Sequence, residues 1–253
     1  MARDYKVAAL LYHHVGPLRD ESCRSLNVSE TAFTKQIKTL RALGFETISP
    51  DQWVGYVRGG DIPGRRHVMI TFDDAYADLT EFAFPILEQS QFTATVFVPT
   101  SIIGRSLPCN PRSPDASLPL MAKDDITNWA ARGISFGAHS RTHADLTALS
   151  HDAVEAEVRG SKEELAAITG KAVTSFAYPY GRLSTAVKSI AGAAFDSCFT
   201  LVEGMNDART ELSSLRRTMV QHGDTVADVC LRATYGMSVL ERVRTVVGSM
   251  RSS

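Results

Sequence analysis

Short runs of apolar, β-branched and aromatic residues alternate along the chain with longer stretches in which apolar residues recur every three to four positions. Residues 7–13 read as a first strand. Residues 29–43 read as a helix, because Phe33, Ile37, Leu40 and Leu43 share one face and Gly44 can end it. The pattern continues with a strand at 68–72, a helix at 79–89 and a β-branched, aromatic strand at 93–98. A helix at 124–131 stops near Gly133 and leads into a strand at 134–138. Ser150 then opens a long helix carrying Val154, Val158, Leu165 and Ile168, which Gly170 ends. Strands at 175–178, 197–200 and 215–220, a helix at 184–191, and a mostly helical stretch at 225–247 broken near Gly236 complete the series.

Such alternation predicts a parallel sheet with helices outside. Seven or eight strands in 253 residues fit a distorted or incomplete (β/α) barrel, one α/β domain spanning 1–253. A doubly wound nucleotide-binding sheet fits less well, since no Gly-x-Gly-x-x-Gly follows a strand and no P-loop is present. Residues 104–119, with Pro108, Pro111, Pro114 and Pro119, read as an insertion forming a rim loop over a site.

Hydrophobic residues make up 44% of the chain, enough for one sizeable core. With 27 basic and 28 acidic residues the net charge is −1, and no polybasic stripe points to nucleic acid or an anionic membrane as main partner. No apolar run approaches the ~18 residues of a membrane span. The apolar run at 7–11 is too short for a signal peptide and lacks a small-residue cleavage site, so a cytoplasmic location is expected. Cys23, Cys109, Cys198 and Cys230 are widely spaced with no Cys-x-x-Cys pair, and ordinary reduced thiols are expected. No feature sets an oligomeric state.

The chemistry lies in two polar clusters, Thr71-Phe72-Asp73-Asp74 and His139-Ser140-Arg141-Thr142-His143, each following an apolar strand. Three O/N groups with an open position make a catalytic zinc-type site, and the fourth group remains as a base. Taken singly, an Asp-Asp pair is more often a turn or helix cap, and a His-x-x-x-His pair more often has no metal. Adjacent strand residues face opposite sides, so the strand must twist or break if both aspartates are to share a site. In a barrel, functional groups sit at the C-terminal ends of strands, where His13, Asp73, Asp74, His139 and Tyr180 all fall. Tyr178-Pro179-Tyr180-Gly181 reads as a sharp turn able to expose the Tyr180 backbone N–H as an oxyanion donor. His13 and His14 point to opposite sides of a strand, so one of them faces the barrel mouth.

Together these segments resemble the polysaccharide deacetylases of carbohydrate esterase family four, the NodB-homology family, over most of the chain. The resemblance implies Asp73 as catalytic base, Asp74, His139 and His143 as metal ligands, and a divalent cofactor, most simply Zn²⁺. Ala177-Tyr178-Pro179-Tyr180 is similar to the family's third motif. Three positions depart from the pattern. Ala75 stands where the family usually has Gly, Ala177 stands where an Arg usually holds the catalytic Asp, and no Leu-x-His is evident near the C-terminus, Met219-Val220-Gln221-His222 being a loose match.

A subgroup with circularly permuted motifs, the poly-N-acetylglucosamine deacetylases, resembles this chain at three places that bear on the missing Arg and the missing acid. Its Tyr-His-x-Val motif maps the acid onto His13, Phe176–Gly181 follows its third motif, and its Leu-x-Arg maps onto Arg217, implied to orient Asp73. The expected activity is metal-dependent removal of N-acetyl groups from an amino-sugar polysaccharide or oligosaccharide, releasing acetate. His222 is the rival acid. Tyr12, Tyr178 and Trp129 are candidate sugar-stacking residues. Two other functions fit the same resemblance: a same-fold hydrolase of a small non-sugar amide or cyclic imide, and an inactive carbohydrate-binding barrel.

Overall fold

The strand-and-helix alternation builds a parallel eight-stranded sheet in the computed structural model, which describes residues 5–61, 66–109 and 117–237. Its strands are β1 (Ala8–Tyr12), β2 (Glu46–Thr47), β3 (His67–Phe72), β4 (Thr95–Val98), β5 (Ser135–Ala138), β6 (Ser175–Ala177), β7 (Ser197–Phe199) and β8 (Thr218–Met219). They run in the order β7-β6-β5-β4-β3-β1-β8, and β2 pairs with the start of β3. The eighth strand is shorter than the sequence predicts, but its segment does two things. Leu10 and Leu11 of β1 pair with Thr218 and Met219, and Leu215 makes a parallel bridge to Phe199 of β7. One short segment therefore joins the two edges of a nearly closed barrel.

Period-two alternation sorts the core. Ala9, Met69, Phe97, Ala177 and Phe199 face inward, while Leu10, Ile70, Val96 and Phe176 face the helices. The outer layer contains α1 (Glu30–Ala42), α3 (Phe84–Gln89, entered through a π turn at Leu79–Ala83), α4 (Lys123–Ala131), α5 (His151–Thr169), α6 (Thr185–Ala194) and α7 (Val226–Tyr235). Ser29, Ser150 and Ser184 accept from the third residue of their helices, and Gly170 and Gly236 end theirs in the left-handed conformation. The helical reading of 225–247 continues past Met237 outside the described residues. No helix among the described residues is long and apolar enough to cross a membrane.

The α2 helix (Pro50–Val57) is an element the sequence reading lacks. A capping box between Ser49 and Gln52 starts it, with Pro50 in its first turn. It plugs the barrel at the N-terminal ends of the strands. Trp53 is fully buried among the inward residues, and Asp51 and Arg58 bond Thr174 and Asp196, which precede β6 and β7. The opposite mouth is thereby left as the one for chemistry.

Gly137, two residues before His139, has no room for a side chain. A Cβ there would lie 2.6 Å from both Phe97 Cε1 and Ser175 Oγ. Gly137→Ala should therefore lower unfolding free energy by about 1–3 kcal/mol, the usual range for overpacking. Urea denaturation checks it, and an unchanged midpoint and slope would show that β4 and β6 give way freely.

Candidate active site

Four strand ends bring polar groups to the open mouth, and local backbone geometry aims them. Asp73 continues β3, its N–H bonding Tyr12 O at 3.1 Å. The alternation then breaks as the sequence requires: Asp74 has φ 71° and Ala75 φ 57°. Left-handed conformations cost roughly 1–2 kcal/mol for residues with a Cβ. After β5 the chain does the same at Ser140 (φ 61°) and His143 (φ 59°). Ser140 Oγ accepts from His143 N–H at 3.0 Å, and Glu157 of α5 accepts from the N–H groups of Arg141 and Thr142 at 2.8 and 2.9 Å. The tight turn sets the two imidazoles 4.9 Å apart, centre to centre, without a helix.

Each of these rings is oriented through Nδ1. His139 Nδ1 donates to Ala177 O at 2.7 Å, and His143 Nδ1 lies 3.2 Å from the Tyr180 hydroxyl. The Ala177 carbonyl fixes the His139 tautomer, and both contacts leave Nε2 turned inward. His143 Nε2 is 3.2 Å and His139 Nε2 3.7 Å from Asp74 Oδ1, a buried oxygen that accepts no hydrogen bond. The ligand atoms of Asp74, His139 and His143 all lie within 4.8 Å of one another. An orphaned carboxylate oxygen facing two oriented imidazole nitrogens fits a divalent cation.

Asp73 is held differently. Arg217 Nη1 and Nη2 donate to its two oxygens at 2.6 and 2.8 Å, and Arg217 Nε donates to Thr200 O at 3.0 Å. Both side chains are buried. Burial acts to raise the Asp73 carboxyl, but Arg217 and then His139 carry it below the ordinary carboxylate value. Asp74 is likewise opposed by burial yet held well below that range by His143 and the neighbouring histidines. Burial pushes His139 down to about 4, against the pull of Asp73, so it is the neutral imidazole a metal requires. Burial also acts to lower His143, but Asp74 raises it above the ordinary value. A cation entering the site would displace that proton.

These groups line a cavity of about 330 Å³, with His13 and Tyr180. His13 Nδ1 is buried without a partner. Burial lowers the His13 pKa, and Asp74 and Asp73 offset this only in part. Tyr180 has φ 59° in the Pro179–Gly181 turn and presents its ring to His143, 4.6 Å away. His222 is exposed, 2.8 Å from Arg24 Nη1, and outside the cavity, while His14 is buried on the other side of its strand. Tyr12 and Tyr178 are fully buried and Trp129 lies beneath the Arg132 guanidinium, so none of the three is placed to stack a sugar; the cavity's exposed aromatic ring is Tyr180.

The rest of the wall is Leu26, Leu107, Pro108, Leu201 and Met219, with Gly181 and the disulfide-bonded Cys109. Leu107 and Pro108 come from a hairpin, Ser106–Pro108 with Ser117–Pro119, inside the segment read as a rim loop, whose residues 110–116 lie outside the described set. Leu26 and Leu201 carry no periodic or motif signal. Cys109 and Cys23 form a disulfide that ties the hairpin to the 3₁₀ turn Glu21–Leu26, which corrects the expectation of four reduced thiols. Cys198 and Cys230 are free. A larger groove of about 890 Å³, lined by Lys6, Val202 and Tyr235 among others, gathers no metal-type ligand set among the described residues, so chemistry rather than volume picks the site.

Known proteins carry the same arrangement of chain. The family profile described as polysaccharide deacetylase matches residues 60–194. A Bacillus subtilis protein named as a polysaccharide deacetylase, YxkH, is 25% identical over 219 residues, covering 86% of this chain and 72% of its own. The poly-beta-1,6-N-acetyl-D-glucosamine N-deacetylase of Staphylococcus epidermidis is 27% identical over 77% of this chain and 72% of its own. Among solved structures, the Streptococcus pyogenes deacetylase PplD superposes with a TM-score of 0.79 at 24% identity, covering 90% of this chain and 98% of that one. IcaB from Ammonifex degensii gives 0.74 at 22%, covering 90% and 96%. These two likenesses show the fold.

Arg217→Met would leave Asp73 buried with no cation, and should cost about 3–5 kcal/mol at neutral pH. The sign with pH follows from the direction of the shift. A carboxyl held below its unfolded value of ~3.9 stabilises fully above that value and loses the contribution as pH falls through the folded one. In the methionine variant burial raises Asp73 instead, and acidification favours its fold. Denaturant unfolding from neutral to acid pH should show the two proteins converging; a constant gap would mean that Asp73 is not ionised in the fold.

Proposed function

The chain belongs to the polysaccharide deacetylase family, and on that premise we propose that it hydrolyses N-acetyl groups of an amino-sugar polymer or oligosaccharide, with Asp74, His139 and His143 holding a divalent ion, most simply Zn²⁺. The observation that carries this reading is the division of labour at the mouth: one aspartate fastened by Arg217, the other left orphaned between two oriented histidines. When bound, such an ion supplies Lewis acidity, lowering the pKa of a water from 15.7 to ≈ 7 and polarising a carbonyl.

The chain's own residues supply the remainder. Asp73, kept ionised and fixed by the guanidinium fork, accepts the proton of the attacking water as it adds to the acetamide carbon. Arg217 positions it and keeps it out of the ligand set. Tyr180 presents its backbone N–H to the developing oxyanion, an interaction whose loss costs roughly 10²–10³ in rate. His13 gives its proton to the departing amine nitrogen as the C–N bond breaks, yielding acetate and a free amino sugar. The apolar wall of Leu107, Leu201 and Met219 receives the acetyl methyl and limits water at the reacting carbon.

A second reading, hydrolysis of a small non-sugar amide, has one observation in its favour. The cavity, at about 330 Å³, is near the small end of the ~300–1,000 Å³ common for ligand pockets. A panel of N-acetylglucosamine oligomers, with poly-β-1,6-linked chains first because of the staphylococcal relative, and simple amides and cyclic imides separates the two. Acetate release from the oligomers is expected; turnover confined to the small amides would overturn the glycan assignment.

Two sets of variants test the roles. Asp73→Asn should abolish turnover and keep the metal, whereas Asp74→Ala, His139→Ala and His143→Ala should lose metal by elemental analysis of the untreated protein. Exchanged phenotypes for the two aspartates would reverse base and ligand. His13→Ala should lower kcat by ~10²–10⁴, the usual contribution of a general acid, with metal content intact. A group that must be protonated gives a rate that falls as pH rises through its pKa, so this variant should also lose the alkaline limb of the pH–rate profile. His222→Ala should do little. A collapse in His222→Ala beside a near-normal His13→Ala would assign the acid to the C-terminal histidine.

A further inference from the structure

At the hairpin wall lies a second cluster of ligand-type groups, which shares no residue with the Asp74, His139 and His143 set, although its Cys109 also lines the catalytic cavity. His14, Cys23 and Cys109 bring one nitrogen and two sulfurs within 4.8 Å of one another. They come from three elements: the short strand His14–Val15, the 3₁₀ turn Glu21–Leu26 and the residue just after hairpin strand Ser106–Pro108. All three are buried. His14 is the informative member. Its Nδ1 lies 3.2 Å from Asp78 Oδ2, and its Nε2 is buried with no hydrogen-bond partner. Asn27 Nδ2 also lies 3.2 Å from Nδ1, and it donates to Gly16 O at 3.1 Å.

A buried imidazole nitrogen without a partner is costly, because desolvation is uncompensated. A carboxylate on the opposite nitrogen is the arrangement that orients a metal-binding histidine and sharpens its basicity. Two sulfurs beside such a nitrogen make the Cys₂His set that suits zinc and other borderline ions, with one position open. Tyr76, stacked edge-on at 5.6 Å from His14, and Leu118 and Leu120 in the same apolar cluster keep water away. We propose that Cys23, Cys109 and His14 form a redox-controlled metal site: closed as a disulfide under oxidising conditions, and holding a divalent thiophilic ion such as Zn²⁺ when the cysteines are reduced.

The chemistry balances with a thiol or phosphine reductant. Two electrons cleave the S–S bond, two protons give the thiols, and the reductant leaves as its disulfide or phosphine oxide. Ion binding then releases the two thiol protons. Either state ties the hairpin to the 3₁₀ turn, so Leu107 and Pro108 face Leu26 across the catalytic cavity in both. A chain in a reducing compartment would keep its pocket wall by metal, and one in an oxidising compartment by the covalent bond.

Cobalt(II) is the probe, because thiolate ligation gives a near-ultraviolet charge-transfer band that an Asp-His-His site does not. The full chain, reduced with a water-soluble phosphine under argon, should bind about two Co²⁺ ions with the band, against about one without it in the untreated protein. Reduced protein alkylated at sulfur keeps its sequence and should bind about one ion without the band. Asp78→Asn should weaken the band-forming site ~10–100-fold, the usual effect of removing such an orienting partner. His139→Ala should lose the other ion and keep the band. Reduced wild type binding a single ion with no thiolate band would overturn the proposal. So would unchanged cobalt affinity at the band-forming site in His14→Ala, since cysteines alone would then be binding.

Discussion

Arg217 and Asp73 meet as a doubly hydrogen-bonded pair beneath the barrel mouth, both removed from water. Taking two charges out of water carries a penalty that only near-ideal geometry offsets. Here the geometry is set by the whole barrel. Asp73 directly follows β3, the third nitrogen of the guanidinium bonds Thr200 O beyond β7, and Arg217 itself precedes β8. Phe97 and Phe199 lie under the cation at 5.4 and 5.9 Å. Closing the barrel and fastening Asp73 are thus one event: the segment that bridges Phe199 at Leu215 and pairs with Leu10 at Thr218 carries the arginine between those two contacts.

Around that fixed pair the backbone is strained where function would want it. Of six non-glycine residues with positive φ among those described, five lie at the mouth: Asp74, Ala75, Ser140, His143 and Tyr180. Such conformations persist only where the surroundings over-determine them. Glu157, Ser140 Oγ and the Arg141–Glu164 pair do this for the histidine turn. Gly181 does it for Tyr180 by lacking a Cβ, which would otherwise lie 2.5 Å from Leu201. Rigidity comes from neighbours, so the placing of the two imidazoles is inherited from α5 and β6 rather than from the motif residues alone.

Much of this was legible before any coordinates. Strand and helix periodicity predicts the parallel sheet because inward and outward residues alternate with burial, as in Ala9 and Leu10. The Asp-Asp and His-x-x-x-His clusters stand out because polar runs at apolar strand ends have few structural uses. Placing Arg217 on Asp73 needed a resemblance, since 144 residues separate them and no local pattern links them. The α2 plug was missed because eight residues give too little periodicity, and its capping box was the overlooked signal. The disulfide was missed because pairing across 86 residues is a property of the fold. Tyr12 and Tyr178 were misjudged because strand alternation turns them into the core, and the exposed ring belongs to Tyr180 beyond the strand's end.

The adjacency of β1 and β8 has a consequence for ancestry. They are parallel neighbours in register, Leu10 with Thr218 and Leu11 with Met219, so the first and last sheet strands among the described residues open onto the same side of the mouth. His13 immediately follows one, and His222 lies three residues past the end of the other. A reaction needs its proton donor at a place, not at a position in the sequence. When first and last strands touch, the order in which a polypeptide visits that place becomes free to drift. A role could then pass from one of these neighbouring strands to the other without redrawing the pocket.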